Sequence, residues 1–167
     1  QNSTSVVIGA MLLAPLMSPI VSLAMGILRY DQDLSRRSAV KVVAGVVLAL
    51  ASAVFITLLF PYKPVTNEML ARLSPSLLDL GVAIFAGVAG AYTKSYKEIL
   101  QSLAGVAIAV ALVPPLAVAG IGLGRGDPYF FGQAFLLFST NLVGILVAAT
   151  LTFRVLGYSA AIKIRRG

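Results

Sequence analysis

Five apolar runs, at about Ser5–Leu28, Val40–Phe60, Leu77–Tyr92, Ile99–Gly124 and Phe130–Phe153, leave only short polar gaps between them. A helix of about 20 apolar residues matches the hydrocarbon thickness of a bilayer. Backbone groups in lipid must bond to one another, which a helix achieves within a single segment. The pattern therefore predicts an all-α, polytopic transmembrane helix bundle with five spans, forming one transmembrane domain over residues 1–167. The third run is short and reaches the required length only with Pro75, Ser76 and Thr93 added. A mean hydropathy of +0.95 with 11% charged residues lies outside the soluble globular range.

A net charge of +7 raises nucleic acid as a partner. The cations nevertheless sit in the gaps between apolar runs, so membrane topology accounts for them, and the expected partner is the lipid bilayer with no nucleic acid. Arg29, Arg36, Arg37, Lys41, Lys94, Lys97, Arg154, Lys163, Arg165 and Arg166 fall in one alternating set of gaps, and only Lys63, Arg72 and Arg125 in the other. Positive charge is retained in the cytoplasm, which orients Gln1 outside and Gly167 inside a cell (inner) membrane, crossed several times. The basic gap "RYDQDLSRRSAVK" suits the anionic inner leaflet. An odd number of spans with an outside start, on a chain beginning with Gln1, predicts a further helix ahead of it. "QNSTS" then reads as an outer turn with Asn2, Ser3 or Thr4 as helix cap, although Asn-Ser-Thr also fits a glycosylation acceptor.

The chain has no Cys and no His. Thiolate and imidazole metal sites, Cys/His and Ser/His/Asp catalysis and the commonest proton shuttle are thereby excluded. No enzyme, cofactor, metal or catalytic residue is expected.

Shifting the chain by 96 positions aligns "VIGAMLLAPLMSPIVSLAMGILR" with "LAGVAIAVALVPPLAVAGIGLGR", matching Gly9 with Gly105, Leu16 with Leu112, Pro19 with Pro115, Gly26 with Gly122 and Arg29 with Arg125. The first segment runs inward and the second, three spans later, outward. Two inverted three-helix repeats follow, residues 1–60 as the first, incomplete one and 77–153 as the second. Paired proline-interrupted segments at matching positions of two inverted halves point to a transporter binding site.

Proline removes a backbone N–H and clashes with the carbonyl one turn earlier. Helix breaks are therefore expected at Pro15, Pro19, Pro114 and Pro115, with half-helix ends meeting near the bilayer midplane; simple kinks repaired by neighbouring helices are the alternative. Ser139, Thr140 and Asn141 form a polar run near the centre of the last span, as interhelical glue or as a site lining. Ser18, Pro19, Pro114, Pro115, Ser139, Thr140 and Asn141 are the candidate substrate-binding residues, with Ser22 a weaker companion. Acidic residues are nearly absent from the spans. Asp79 follows "SPSLL", where Ser74 or Ser76 caps a helix and the carboxylate favours the dipole, against the alternative of ion coupling. With no carboxylate path, a neutral or anionic small solute, or a cation held by carbonyls and hydroxyls, fits better. Small residues four apart in the third span, Ala83 and Gly87, Ala86 and Gly90, Gly87 and Ala91, permit close packing within the chain or in a homo-oligomer.

The segments "SVVIGAMLLAPLMSPI", "ALVPPLAVAGIGL" and "STNLVGI" together resemble the uncharacterised hydrophobic domain, a domain-of-unknown-function family of bacterial and archaeal membrane proteins. The resemblance covers essentially the whole chain. It implies a further hydrophobic helix ahead of Gln1, often behind a cytoplasmic soluble domain, and it brings no substrate, cofactor or residue role. Two functions are consistent with the sequence: a transporter or channel for a small solute or ion, and a membrane anchor or sensor for a cytoplasmic domain.

Overall fold

A computed structural model describes the backbone of residues 3–61, 64–96 and 98–158, and the side chains within them except 3–15, 95, 96 and 98–103. The cap expected at Asn2–Thr4, Lys63, Lys97 and the basic tail lie outside the described side chains. Among the described residues there are six helices and no strand: α1 (Ser3–Leu28), α2 (Gln32–Leu59), α3 (Asn67–Ala71), α4 (Leu77–Tyr96), α5 (Glu98–Arg125) and α6 (Pro128–Val155). Four stretches, Gln32–Leu59, Leu77–Lys94, Ala104–Arg125 and Pro128–Val155, are long and apolar enough to cross a bilayer, and within α1 the described apolar stretch is Leu16–Leu28. The chain is a multi-pass membrane protein.

Helix α2 starts inside the basic gap, well ahead of the expected Val40, because Asp31 caps it there: the carboxylate accepts the Leu34 N–H at 2.9 Å. Short α3, capped by Thr66, is an addition in the loop before α4. Asp79 takes the capping role. It accepts the Ser76 N–H at 3.1 Å and the Ser76 hydroxyl at 2.6 Å, while Ser76 Oγ accepts the Asp79 N–H at 3.2 Å, a reciprocal box with Arg72 at 3.7 Å.

Helices α4, α5 and α6 pack on one another; α1 lies against α2, α5 and α6, and α2 leans mainly on α1 and α5. The core joins Leu16, Ile20 and Ala24 of α1 to Ala111, Leu112 and Leu116 of α5 and Phe138, Ile145 and Phe153 of α6. Glycine sets the closest approaches. A Cβ on Gly87 would run into the Ile145 backbone of α6, and Cβ atoms on Gly120 and Gly124 would meet Ala53 and Thr57 of α2. In α4, Ala83, Ala86, Gly87, Gly90 and Ala91 are all buried, so these small residues serve close packing within the chain. Helix α2 turns Val43, Val47, Leu48, Phe55 and Ile56 outward, as a lipid-facing helix does.

Two corners are built alike. At the end of α1, Tyr30 takes φ 52°, its N–H bonds the Ile27 carbonyl at 3.3 Å, and the Asp31 N–H bonds the Gly26 carbonyl at 3.0 Å. At the end of α5, Gly126 takes φ 68°, its N–H bonds Leu123 at 3.0 Å, and the Asp127 N–H bonds Gly122 at 2.9 Å. Both are Schellman stops. In each, the aspartate that closes one helix also caps the next, Asp127 accepting the Phe130 N–H at 3.0 Å as Asp31 does that of Leu34. The next helix crosses so closely that a Cβ on Gly26 would stand 2.9 Å from the Ser35 nitrogen and one on Gly122 2.6 Å from that of Phe131. Every matched pair in these corners is 96 residues apart.

Lys94 Nζ donates to Ser22 Oγ at 3.1 Å, and the Arg29 guanidinium lies 5.9 Å from the centre of the Tyr158 ring. These contacts bring the C-terminal ends of α1, α4 and α6 to one end of the bundle, which thereby gathers Arg29, Lys94 and Arg154.

Candidate functional site

The expected helix breaks at Pro15, Pro19, Pro114 and Pro115 are absent: α1 runs unbroken from Ser3 to Leu28, and α5 from Glu98 to Arg125 with both prolines inside it. No half-helix N-terminus is presented at mid-depth. The reason is visible at Pro115. Having no N–H, it leaves the carbonyl of Ala111, one turn earlier, without its helical donor. Asn141 of α6 supplies a substitute, its Nδ2 donating to the Ala111 oxygen at 3.0 Å. A side-chain amide from the next helix thus repairs the ladder, and the helix keeps its winding.

Ala111 and Asn141 stand near the midpoints of two helices of 28 residues each, so this bond lies at mid-depth. Asn141 is 3% exposed. Its amide orientation follows from chemistry, since a carbonyl acceptor demands the NH2 side of the group. The other side, Oδ1, is buried and has no hydrogen-bond partner among the described residues. A buried amide oxygen without a donor is costly, and nearly all such groups in native proteins are satisfied. Pro115 is buried and Pro114 half-buried beside this bond.

The remaining candidates divide. Leu16 and Ile20, which flank Ser18 and Pro19 in α1, share the core cluster with Ala111, Leu112 and Phe138, so the proline regions of α1 and α5 do converge. Ser18 itself is exposed and Pro19 half-buried. Ser139 donates to its own helix at the Phe135 carbonyl, 2.8 Å away. With exposed Thr140 it lines an open, apolar groove of about 610 Å³ between α4 and α6, together with Leu80, Ile84, Val143 and Val147. Successive helical residues point about 100° apart, so the polar run could not face one site as a unit, and Asn141 alone crosses to another helix. The crevice between α1 and α5, lined by Leu16, Ile108, Leu112 and Leu116, leaves no room for water.

Sequence reasoning missed the pairing of Ala111 with Asn141, although a proline one turn after Ala111 marks the acceptor. It also missed Ser22 as the acceptor of Lys94. No group of three or more His, Cys, Asp or Glu able to hold a metal occurs among the described residues.

No solved structure matches the chain. It is 27% identical over 159 residues to an uncharacterized protein of Methanocaldococcus jannaschii, covering 95% of this chain and 49% of the relative, so it spans about half the relative's length. The family described as Domain of unknown function (DUF389) matches residues 11–147. Over most of its length, including both proline regions and Asn141, the chain therefore belongs to the DUF389 family of unknown function.

Proposed function

We propose that this chain is the membrane core of a transporter or channel-like protein for a small solute or ion, held here in a closed arrangement. In this reading α1 is a fifth span. Helices α1–α2 and α4–α6 belong to two inverted units, and the position 96 residues before α4 falls ahead of Gln1. The two Asp31 and Asp127 corners support the repeat, because each reproduces the other's positive-φ stop, cap and close crossing. The basic end holding Arg29, Lys94 and Arg154 is assigned to the cytoplasm.

One observation carries the transport reading: a buried Asn141 amide at mid-depth, half bonded to a carbonyl released by proline and half without a donor. Polar groups at this depth are expensive and mark solute pathways when they are not fully used by packing. The test is flux. Proteoliposomes carrying the chain are challenged with osmotic steps of small neutral solutes and with gradients of monovalent ions. Permeation above that of protein-free vesicles, lowered in Asn141→Leu, is expected; flux equal to that of empty vesicles for every solute refutes the reading.

A second reading, a membrane anchor or sensor for another domain, draws on the uninterrupted helices and the watertight crevice at Leu16 and Leu112. Under it, Asn141 serves only to mend the α5 ladder, and no flux occurs.

A further inference from the structure

We infer that the mid-depth site takes a small electropositive ligand, a monovalent cation or an O–H or N–H donor solute, and does not take an anion; the inference rests on the reading of Asn141 as a solute site. Three observations converge on this polarity. One N–H of the Asn141 amide is given to the Ala111 carbonyl, and the one atom of the group with no partner at all among the described residues is the oxygen. Because α1 and α5 wind without interruption, their N–H groups at mid-depth are engaged in the helices, and no positive dipole end is offered there. The prolines act only on the acceptor side of the ladder: Pro115 releases the Ala111 carbonyl, Pro114 that of Val110 and Pro19 that of Pro15.

The unpartnered atom observed at this depth is therefore a neutral oxygen acceptor, Asn141 Oδ1. No Lys or Arg lies within residues 104–124 of α5, 128–153 of α6 or 3–28 of α1 to balance an anion, and no Asp or Glu lies there to hold a multivalent cation tightly. Neutral carbonyl and amide oxygens replace the hydration shell of a monovalent ion, as they also accept from a hydroxyl or amine. An anion would meet no Lys or Arg in these stretches of α1, α5 and α6, and no helix N-terminus at mid-depth. This sign reverses the one implied by unwound half-helices, whose N-termini would have favoured negative solutes.

The test is thermal unfolding of the purified full chain in detergent, at constant ionic strength, in parallel arms. Sodium and potassium chloride replace choline chloride in the first arm. The second adds glycerol, compared with the hydroxyl-free osmolyte betaine. In the third, choline salts of chloride, nitrate and phosphate vary the anion alone. A rise in melting temperature of about 4 °C at a ligand concentration roughly ten times its Kd is expected in the first or the second arm, which separates the ion from the donor solute. The anion arm stays flat. The rise disappears in Asn141→Leu, or in Asn141→Ala should leucine fail to pack, and survives in Thr150→Ala, whose hydroxyl donates to the Leu146 carbonyl of its own helix. A shift driven by the anion and lost with Asn141 overturns the assigned polarity while leaving a solute site at Asn141. A cation or donor shift that persists without Asn141, or no shift in any arm, also overturns the inference.

Discussion

The pairing of Pro115 with Asn141 makes a quantitative prediction that a double-mutant cycle isolates. In the native chain the Ala111 carbonyl has lost its helical donor to Pro115 and accepts from Asn141 at 3.0 Å. Replacing Asn141 by Leu removes that bond and leaves a buried carbonyl bare, and it also removes the unpartnered Oδ1. The first change destabilises and the second stabilises, so the single substitution has no certain sign. In a Pro115→Ala background the helix supplies its own N–H to Ala111, and Asn141→Leu then relieves Oδ1 without orphaning anything. The difference between the two backgrounds contains only the Ala111 contribution. Interhelical hydrogen bonds in membranes contribute about 0.6 kcal/mol on average and up to about 1.7. A buried carbonyl left unpaired adds to the loss. A coupling of about 1–2 kcal/mol is therefore expected, with Asn141→Leu more harmful when residue 115 is proline. Reversible unfolding in mixed micelles, titrated with a denaturing detergent, measures all four corners. Additivity of the two substitutions within about 0.5 kcal/mol would show that Asn141 does not repair the proline gap, and would remove the explanation offered for the unbroken α5.

The corners give further predictions for the same unfolding assay. Tyr30→Gly removes a side chain from a backbone held at φ 52° and should stabilise by about 1 kcal/mol, whereas Gly126→Ala, at φ 68°, should destabilise by a similar amount. Gly122→Ala drives a methyl into the Phe131 backbone at 2.6 Å and should cost about 2 kcal/mol, against a gain of about 0.5–1 kcal/mol for Gly81→Ala, whose Cβ meets nothing within 4 Å. Asp127→Ala removes the α6 cap and should cost about 1 kcal/mol, with Asp127→Asn retaining most of it. Equal effects at Gly122 and Gly81 would contradict the close helix crossing.

Much of the helical framework was legible because lipid leaves few alternatives: long apolar runs become helices, and their ends fall near the charged gaps. Start points were less legible. Helix α2 begins in a polar stretch that hydropathy assigns to a gap, and the signal there was chemical, an aspartate placed to cap. The repeat alignment stopped at Arg29 and Arg125, two residues short of Asp31 and Asp127, the residues whose side chains build the corners. Proline identified the carbonyls that would be released but not what would receive them, since Asn141 lies 30 residues away and meets Ala111 only through the rotation of α6 against α5. Grouping Ser139 and Thr140 with Asn141 ignored helical geometry, which sends the first two toward the α4–α6 groove.

The two proposed halves share their corners and differ where a solute would bind. Pro19 and Pro115 release the carbonyls of Pro15 and Ala111, yet the position 96 residues before Asn141 is Gly45, which has no side chain to offer. Its place is filled by Leu16, whose Cδ2 a Cβ on Gly45 would strike. One half therefore closes its proline region with hydrocarbon and the other with an amide. In the proposed transporter, a pocket formed between them would have a single polar wall, carried by α5 and α6 and braced by α4 through the Gly87 contact with Ile145. Opening such a pocket does not require Asn141 to leave Ala111. It requires α1, with Leu16 and Ile20, to draw back from the wall formed by Leu112 and Phe138, because those four residues share the core cluster that keeps water out. In the proposed transporter, the moving part would be α1 with α2, and the oxygen of Asn141 would stay with the fixed part, where its bond to Ala111 holds it in orientation.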